Sequence, residues 1–263
     1  MINLYKTKPH LREMDKRGQV AIYVIIAIAI VGIVVAFLFL RERFAPSLSV
    51  EIDLKSGIEK CVSDSVNEGL EIMLPQGGFI EPKNFRVFNK TKISYLCYVD
   101  GNFKPCINQH PVLTREVSEE VKSYIMPRIE NCIETLTKEL EKRGNKIEGG
   151  DMGIRVNLVK GKVVVEIDKK IVVEKLESKK VYDGFKIEVM HPVYEMLMVA
   201  EDIVNSEIEY CSFEYTGYML MHPEIDIRLY VTSYSEKIYT LKDNISGKTM
   251  KFAIRGCVIP AGF

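Results

Sequence analysis

The residues of this chain with the greatest capacity for chemistry are six cysteines. Cysteines can form disulfides, bind a metal ion through their thiolates or supply a nucleophile. All six lie beyond residue 60, and an even number of cysteines outside the cytoplasm favours a disulfide framework. The elements that carry them decide the pairing. The six are Cys61, Cys97, Cys106, Cys132, Cys211 and Cys257.

Cys61 and Cys132 each lie on the apolar stripe of a predicted amphipathic helix. Apolar residues recur at helical spacing from Val50 to Leu70 and again from Val117 to Leu140. Two helices packed through these stripes bring the thiols together, so we expect a disulfide. The alternative is a pair of buried free thiols that act as small apolar side chains. Pro127 predicts a kink or a break in the second helix.

Cys97 and Cys106 flank a predicted β-hairpin. Residues 92–99 alternate as a strand does, Asp100-Gly101 is a hairpin signal, and residues 103–106 are the expected returning strand. A disulfide across the hairpin is favoured. The alternative is a metal site that adds His110, but its spacing lacks the short interval between ligands and the fourth ligand of a zinc site.

Cys211 and Cys257 are assigned as the third disulfide by elimination only. A Cys211–His222 nucleophile is the alternative, and a bridged cysteine beside a loop histidine is favoured over it. The chain has no metalloprotease, serine-hydrolase or phosphate-loop motif. We therefore predict no catalytic, cofactor-binding or metal-binding residues.

The second half of the chain is predicted to be rich in antiparallel strands. Residues 148–153 are the best candidate for a boundary, and Val/Ile-rich strands follow, with a turn expected at residues 168–170 and one helix at 193–206. We predict a helical subdomain with a β-hairpin over residues 43–148 and an antiparallel β-rich subdomain with one helix over residues 149–263.

An apolar run of 21 residues, Val20 to Leu40, precedes all of this. As a helix it would be roughly 31 Å long, which matches the hydrocarbon core of a bilayer. It is longer than the apolar region of a removable signal peptide and lacks a small-residue cleavage pattern. Basic residues dominate before it. We predict a cytoplasmic leader at 1–18, a transmembrane helix at 19–42 and an extracellular C-terminal domain.

The residues just before this run, Lys16-Arg17-Gly18-Gln19, resemble the class III signal peptide of archaeal type IV pilin-like proteins. That resemblance implies cleavage between Gly18 and Gln19, followed by packing of the retained helix in a filament core or a membrane. Tyr23 stands where many pilins have a glutamate, which favours an uncleaved anchor. With Cys61, the Gln76-Gly77-Gly78-Phe79-Ile80 stretch and Cys132, the N-terminal half is similar to a group of archaeal single-pass membrane-anchored proteins. This similarity bears on location and architecture and assigns no catalytic residues.

Charge and composition limit the classes of partner that this chain is expected to bind. The 36 basic and 36 acidic residues balance, and no basic tract or RNA-reading motif is present, so nucleic acid is an unexpected partner. Asn89 and Asn244 begin glycosylation sequons in predicted turns. The sequence predicts an α+β protein: an N-terminal transmembrane helix, then amphipathic helices and antiparallel sheet in a disulfide-bridged ectodomain.

The expected function is non-catalytic binding or assembly at the cell surface. The expected partners are the lipid bilayer and other surface proteins or copies of the same chain, with no cofactor. A pilin-like filament subunit and an extracytoplasmic hydrolase are the alternatives.

Overall fold

The computed structural model describes residues 25–35, 54–175 and 178–259. The chain forms two compact units, Met1–Glu51 and Ile52–Phe263. In the first, residues 25–35 form a helix, α1, whose side chains are all exposed. None of the helices in the described ranges is both long enough and apolar enough to cross a membrane. The predicted leader at 1–18, the Gly18–Gln19 bond and most of the predicted span at 19–42 lie outside the described residues.

The second unit is an α+β domain, as the sequence predicts. Along this unit, runs of consecutive strands are separated by helices. The helices are α2 (Leu54–Met73), α3 (Leu113–Lys142), α4 (Val193–Tyr210) and α5 (Tyr215–Met221), with a 3-10 turn at Leu74–Gln76. The strands are β1 (Phe85–Phe88), β2 (Thr91–Tyr98), β3 (Ile107–Asn108), β4 (Lys146–Gly149), β5 (Gly153–Val159), β6 (Lys162–Lys175), β7 (Ser178–Met190), β8 (Ile225–Val231), β9 (Lys237–Asp243) and β10 (Thr249–Arg255).

These strands form two sheets. The first has the order β1-β2-β10-β9-β8, with β3 also paired to β2. It is mixed, because β10 runs parallel to β2 and antiparallel to β9. The second is antiparallel: the long strand β6 pairs with β7 along one edge and with β5 and β4 along the other.

The turn predicted at residues 168–170 is wrong. β6 runs through this segment, and the register with β7 shifts between Ile167 and Lys170, which marks a β-bulge. Gly184 lies near the bulge with φ +105°, and a Cβ there would come within 2.9 Å of the Ile167 carbonyl oxygen. Charged residues that resemble a turn are therefore accommodated inside a long strand.

Two smaller predictions concern α3 and the hairpin. Of the kink or break predicted at Pro127, the break does not occur, since α3 is continuous over 30 residues. The proline and Ser123, whose carbonyl loses its usual N–H partner, are both exposed, so solvent can satisfy that carbonyl. The returning strand of the hairpin is Ile107–Asn108 rather than residues 103–106, because Phe103 adopts a left-handed φ of 56°.

The larger of two hydrophobic clusters in the described residues joins the halves that the sequence divides at residue 149. Helix α2 packs on α3, and α3 packs in turn on β5 and α4. Glu148 and Gly149, placed at the predicted boundary, pair with Val172 and Ile171 in β6. Residues 43–148 and 149–263 are therefore not separate compact units where the structure describes them, and Ile52–Phe263 is one.

The Gln76–Ile80 stretch links α2 to the first sheet through two left-handed glycines. Gly77 and Gly78 have φ values of 87° and 98°, and the Gly78 N–H donates to the Met73 carbonyl at 2.9 Å. A Cβ on Gly78 would lie 2.6 Å from Cγ2 of Val117 in α3. The Ile80 N–H donates to Oε1 of Glu120, also in α3, at 3.0 Å. These hydrogen bonds terminate α2 and hold the loop against α3.

Replacing Gly78 with alanine should lower the free energy of unfolding by about 2 kcal/mol, because a left-handed backbone and an overpacked contact add their costs. Chemical denaturation of the two proteins measures it. Gly144 also has positive φ, 83°, but a Cβ there meets no atom within 4 Å. Gly144→Ala is thus a matched control, and we expect it to lose only the backbone part. Equal losses for the two variants would contradict the proposed contact with Val117.

Candidate functional site

All six cysteines are paired, in the three pairings predicted from the sequence. Cys61 in α2 is bonded to Cys132 in α3, with their Cα atoms 6.2 Å apart. The Cys97–Cys106 and Cys211–Cys257 pairs have Cα separations of 5.4 and 5.8 Å. No cysteine is free.

These bonds exclude two alternative roles for the cysteines, namely metal binding by Cys97 and Cys106 and a thiolate nucleophile at Cys211. The Cys97 and Cys106 sulfurs are bonded to each other, and His110 instead contacts Glu116, with 2.6 Å between Nδ1 and Oε2. The Cys211 sulfur is bonded to Cys257, so it is not a thiolate nucleophile for His222. Over the described ranges, no group of three or more His, Cys, Asp or Glu side chains is arranged to hold a metal ion.

The candidate site is a cavity of about 690 Å³ beside the N-terminal end of α4. Its wall is built from the β5–β6 turn, the end of β7, the first turns of α4, the α5–β8 region and the β9–β10 turn. Several of its apolar residues are exposed to solvent in this state: Met190 at the end of β7 by 76% and Ile245 in the β9–β10 turn by 87%. A cavity of this size, largely apolar and with few polar groups, is typical of a small-molecule site.

Two residues of the cavity wall carry a buried polar atom that has no hydrogen-bond partner in the described part of the chain. Three buried side-chain polar atoms lack a hydrogen-bond partner within the described part of the chain: Nε2 of His191, Oε2 of Glu195 and Oε2 of Glu236. The last lies 3.2 Å from Nη1 of Arg86, so an ion pair compensates it. His191 and Glu195 both line the cavity. Each of these two atoms is shut off from solvent and carries the cost of a buried unsatisfied polar group.

His191 is held in one tautomer by the start of α4. Its side chain is only 4% exposed, and its Nδ1 accepts a hydrogen bond from the Val193 N–H at 3.1 Å. Nδ1 therefore carries no proton, and the neutral ring bears its proton on Nε2. Burial, assisted by the nearby Lys248 ammonium, lowers the pKa of His191 to about 4. At neutral pH the ring is thus uncharged and offers one N–H donor.

Glu195 and Asp243 give the cavity its acidic character. Glu195 stands in the first turn of α4, where the free backbone N–H groups of the helix favour a carboxylate. Asp243 is buried, and its Oδ2 accepts hydrogen bonds from the backbone N–H and the Oγ of Ser246, both at 2.6 Å. Glu224 lies at the more exposed side, with its Oε1 3.4 Å from Nδ1 of His222.

The contacts around Ser246 do not form a hydrolytic relay. In such a relay a histidine lies between the serine hydroxyl and the carboxylate. Here Ser246 donates directly to Asp243, and Nδ1 of His191 accepts from backbone.

A second buried polar cluster is structural. Lys237 in β9 donates to Oε2 of Glu207 and to the Cys211 carbonyl, both at 2.6 Å, and the Tyr239 hydroxyl donates to Oε1 of Glu207. Burial and this carboxylate raise the pKa of Tyr239. All the partners are satisfied, so the cluster fastens the end of α4 to the first sheet beside the Cys211–Cys257 bond.

The sequon asparagines both lie in exposed turns. Asn89 occupies the tight turn between β1 and β2, with φ 48°. Asn244 begins the β9–β10 turn, and its Nδ2, the atom that would carry a glycan, donates to the Pro223 carbonyl at 2.9 Å. Glycosylation of either residue stays a prediction.

The sequence did not single out this cavity. Of the residues in its wall, the sequence alone singles out only His222, and only as a partner of Cys211. His191 lies two residues before the helix predicted at 193–206, and that position is the one signal that could have drawn attention to it. Glu195 lies within the same predicted helix, and Ile245 reaches the cavity from a turn fifty residues further along the chain. Comparison with protein-family models, curated proteins and solved structures gives no match.

Proposed function

We propose that this protein is a membrane-anchored cell-surface protein whose disulfide-bridged domain binds a ligand in the cavity beside α4. The observation that carries the proposal is a largely apolar cavity of about 690 Å³ whose wall also includes His191, Glu195 and Asp243. A cavity of this size and composition is typical of a small-molecule site. The function proposed is recognition without catalysis.

Location outside the cytoplasm is supported by the cysteines. Three disulfides that use every cysteine of the chain are typical of proteins that mature in an oxidising compartment. The apolar run from Val20 to Leu40 is long enough to anchor such a domain, and its central residues 25–35 are helical and exposed. We propose that the N-terminus stays in the cytoplasm and that the bilayer and other surface proteins, or copies of the same chain, are its neighbours.

Mass spectrometry of the native N-terminus tests this proposal against the pilin-like alternative. We expect a membrane-fraction protein that begins at Met1 or Ile2, because Tyr23 replaces the glutamate usual in pilins. A chain that begins at Gln19 would show cleavage after Gly18 and would contradict the uncleaved anchor. A Gly18→Leu variant is the control. If the chain is an uncleaved anchor, the variant and the parent begin at the same residue. If the chain is a pilin-like precursor, the substitution should block cleavage and only the parent should begin at Gln19.

A further inference from the structure

The two glycosylation sequons of this chain differ in how freely their acceptor groups can react. This inference rests on the proposed location of the domain outside the cytoplasm, where N-linked glycans are found. The modification joins a sugar to Nδ2 of the asparagine, and the sequon also requires the hydroxyl of its third residue. A sequon in a folded domain is therefore available when both groups are accessible and unpaired.

Asn89 lies in the two-residue turn of a β-hairpin. Phe88 in β1 pairs with Thr91 in β2, so only Asn89 and Lys90 connect the two strands. Their φ values are 48° and 67°, as a type I′ turn requires, and asparagine adopts this conformation more readily than most residues. Both turn residues are exposed. The turn thus presents the acceptor asparagine to solvent.

The acceptor groups of this first sequon are also unpaired. Among the residues that the structure describes, neither the Asn89 side chain nor the Thr91 hydroxyl has a hydrogen-bond partner. Thr91 is partly exposed at the first position of β2. Transfer of a glycan to Asn89 therefore breaks no hydrogen bond of either side chain.

The acceptor groups of the second sequon are held by hydrogen bonds. Nδ2 of Asn244 donates to the Pro223 carbonyl at 2.9 Å, and the Asn244 N–H donates to the Glu224 carbonyl at 2.8 Å. The Ser246 hydroxyl donates to Oδ2 of Asp243 at 2.6 Å. Nδ2 and the hydroxyl must leave these partners before transfer. Each hydrogen bond to be broken lowers the population of the open turn about fivefold.

The second sequon also adjoins the proposed ligand site. Ile245 and Ser246 belong to the wall of the cavity beside α4, and residues 89–91 do not. A glycan on Asn244 would begin next to that wall. A glycan on Asn89 leaves the cavity wall unmodified and is compatible with ligand binding.

We propose that Asn89 carries an N-linked glycan and that Asn244 does not. Nδ2 of Asn89 forms a bond to the anomeric carbon of an oligosaccharide that is linked to a lipid diphosphate. The bond between this carbon and the diphosphate oxygen breaks, and the lipid diphosphate leaves with the bonding electrons. One proton of Nδ2 passes to solvent.

The test uses the full chain, purified from the membranes of the cells that make it and cleaved into peptides that keep each sequon whole. Mass spectrometry with electron-transfer fragmentation, which leaves glycans attached, measures the occupied fraction of each asparagine. We expect a glycan on Asn89 and an occupancy of Asn244 lower by about tenfold or more. An unmodified Asn89 overturns the proposal, and equal occupancy overturns the selection between the two sequons.

Three variants assign the glycan to its site. Asn89→Gln should remove the glycan mass from the intact protein, and Asn244→Gln is the matched control that should retain it. Thr91→Ala should also remove the mass, because it keeps Asn89 but destroys the sequon. A glycan that persists in Thr91→Ala would contradict transfer to this sequon. The measurement on the unaltered chain gives its answer even if a variant folds poorly.

A membrane-impermeant amine reagent, applied to intact cells, separates failure of this proposal from failure of the proposed location. The described domain has exposed lysines, among them Lys90 and Lys92, which the reagent labels if the domain lies outside. A labelled domain with an unmodified Asn89 overturns the glycosylation and leaves the location standing. An unlabelled domain with an unmodified Asn89 contradicts both.

Discussion

Replacing both Cys61 and Cys132 with alanine is expected to lower the free energy of unfolding by about 4.4 kcal/mol. This disulfide joins residues 71 apart in sequence, and a bond that closes a long loop removes more conformational freedom from the unfolded chain. It also fastens α2 to α3 through the buried stripes of both helices. Denaturant unfolding of the oxidised proteins, followed by far-ultraviolet circular dichroism, measures the loss.

The Cys97–Cys106 pair supplies the control for this experiment. Its cysteines are 9 residues apart, and the same chain-entropy relation gives about 2.7 kcal/mol for their double alanine variant. We therefore expect the first variant to be less stable than the second by about 1.7 kcal/mol. If the two variants lose equal stability, or if the second loses more, loop length does not determine the stabilisation by these disulfides. Local packing around the cysteines would then be the cause.

The stability of the domain is expected to fall by about 3 kcal/mol between pH 7 and pH 4 because of His191 alone. Burial lowers the pKa of this residue from its ordinary 6.5 to about 4, so within this window the unfolded chain binds a proton that the folded chain does not. The unfolded state is therefore favoured increasingly as the pH falls below 6.5, and the effect levels off below pH 4, where the folded chain also binds the proton. Asp243 and Glu71 oppose the shift, and Lys248 reinforces it.

His191→Asn isolates this contribution. The Oδ1 of asparagine can accept the Val193 N–H as Nδ1 does, but the side chain does not titrate. We expect the difference in unfolding free energy between the parent and the variant to decrease steadily from pH 7 to pH 4. All other titratable groups are common to both proteins. A difference that stays constant over this range would therefore show that His191 does not cause the loss of stability at low pH.

Local patterns were enough to predict much of this architecture. The apolar stripes of α2 and α3 fixed which faces pack together, and that alone placed Cys61 opposite Cys132. Helix α4, predicted at residues 193–206, begins at Val193 and ends at Tyr210, because its apolar spacing marks it clearly. These features depend on neighbours along the chain, which the sequence displays directly.

Features that depend on distant partners were missed. The Asp168–Lys170 segment looks like a turn until its pairing with β7 is known, and only that pairing reveals a bulge. The cavity also depends on residues that are distant in sequence, because Glu195 of α4 and Ile245 of the β9–β10 turn both line it. The segment around residue 149 is a similar case, since Gly149 resembles part of a linker but belongs to β4 and pairs with Ile171 in the second sheet.

The parallel pairing of β10 with β2 has a consequence for how the domain is made. β10 is the last described strand along the chain, yet it lies in the interior of the first sheet, between β2 and β9. During synthesis, β2 emerges more than a hundred and fifty residues before the strand that completes its pairing. The first sheet thus cannot close on a nascent chain until residue 255 is released. Folding of the first sheet is therefore tied to the synthesis of β10 rather than to stepwise addition of finished parts.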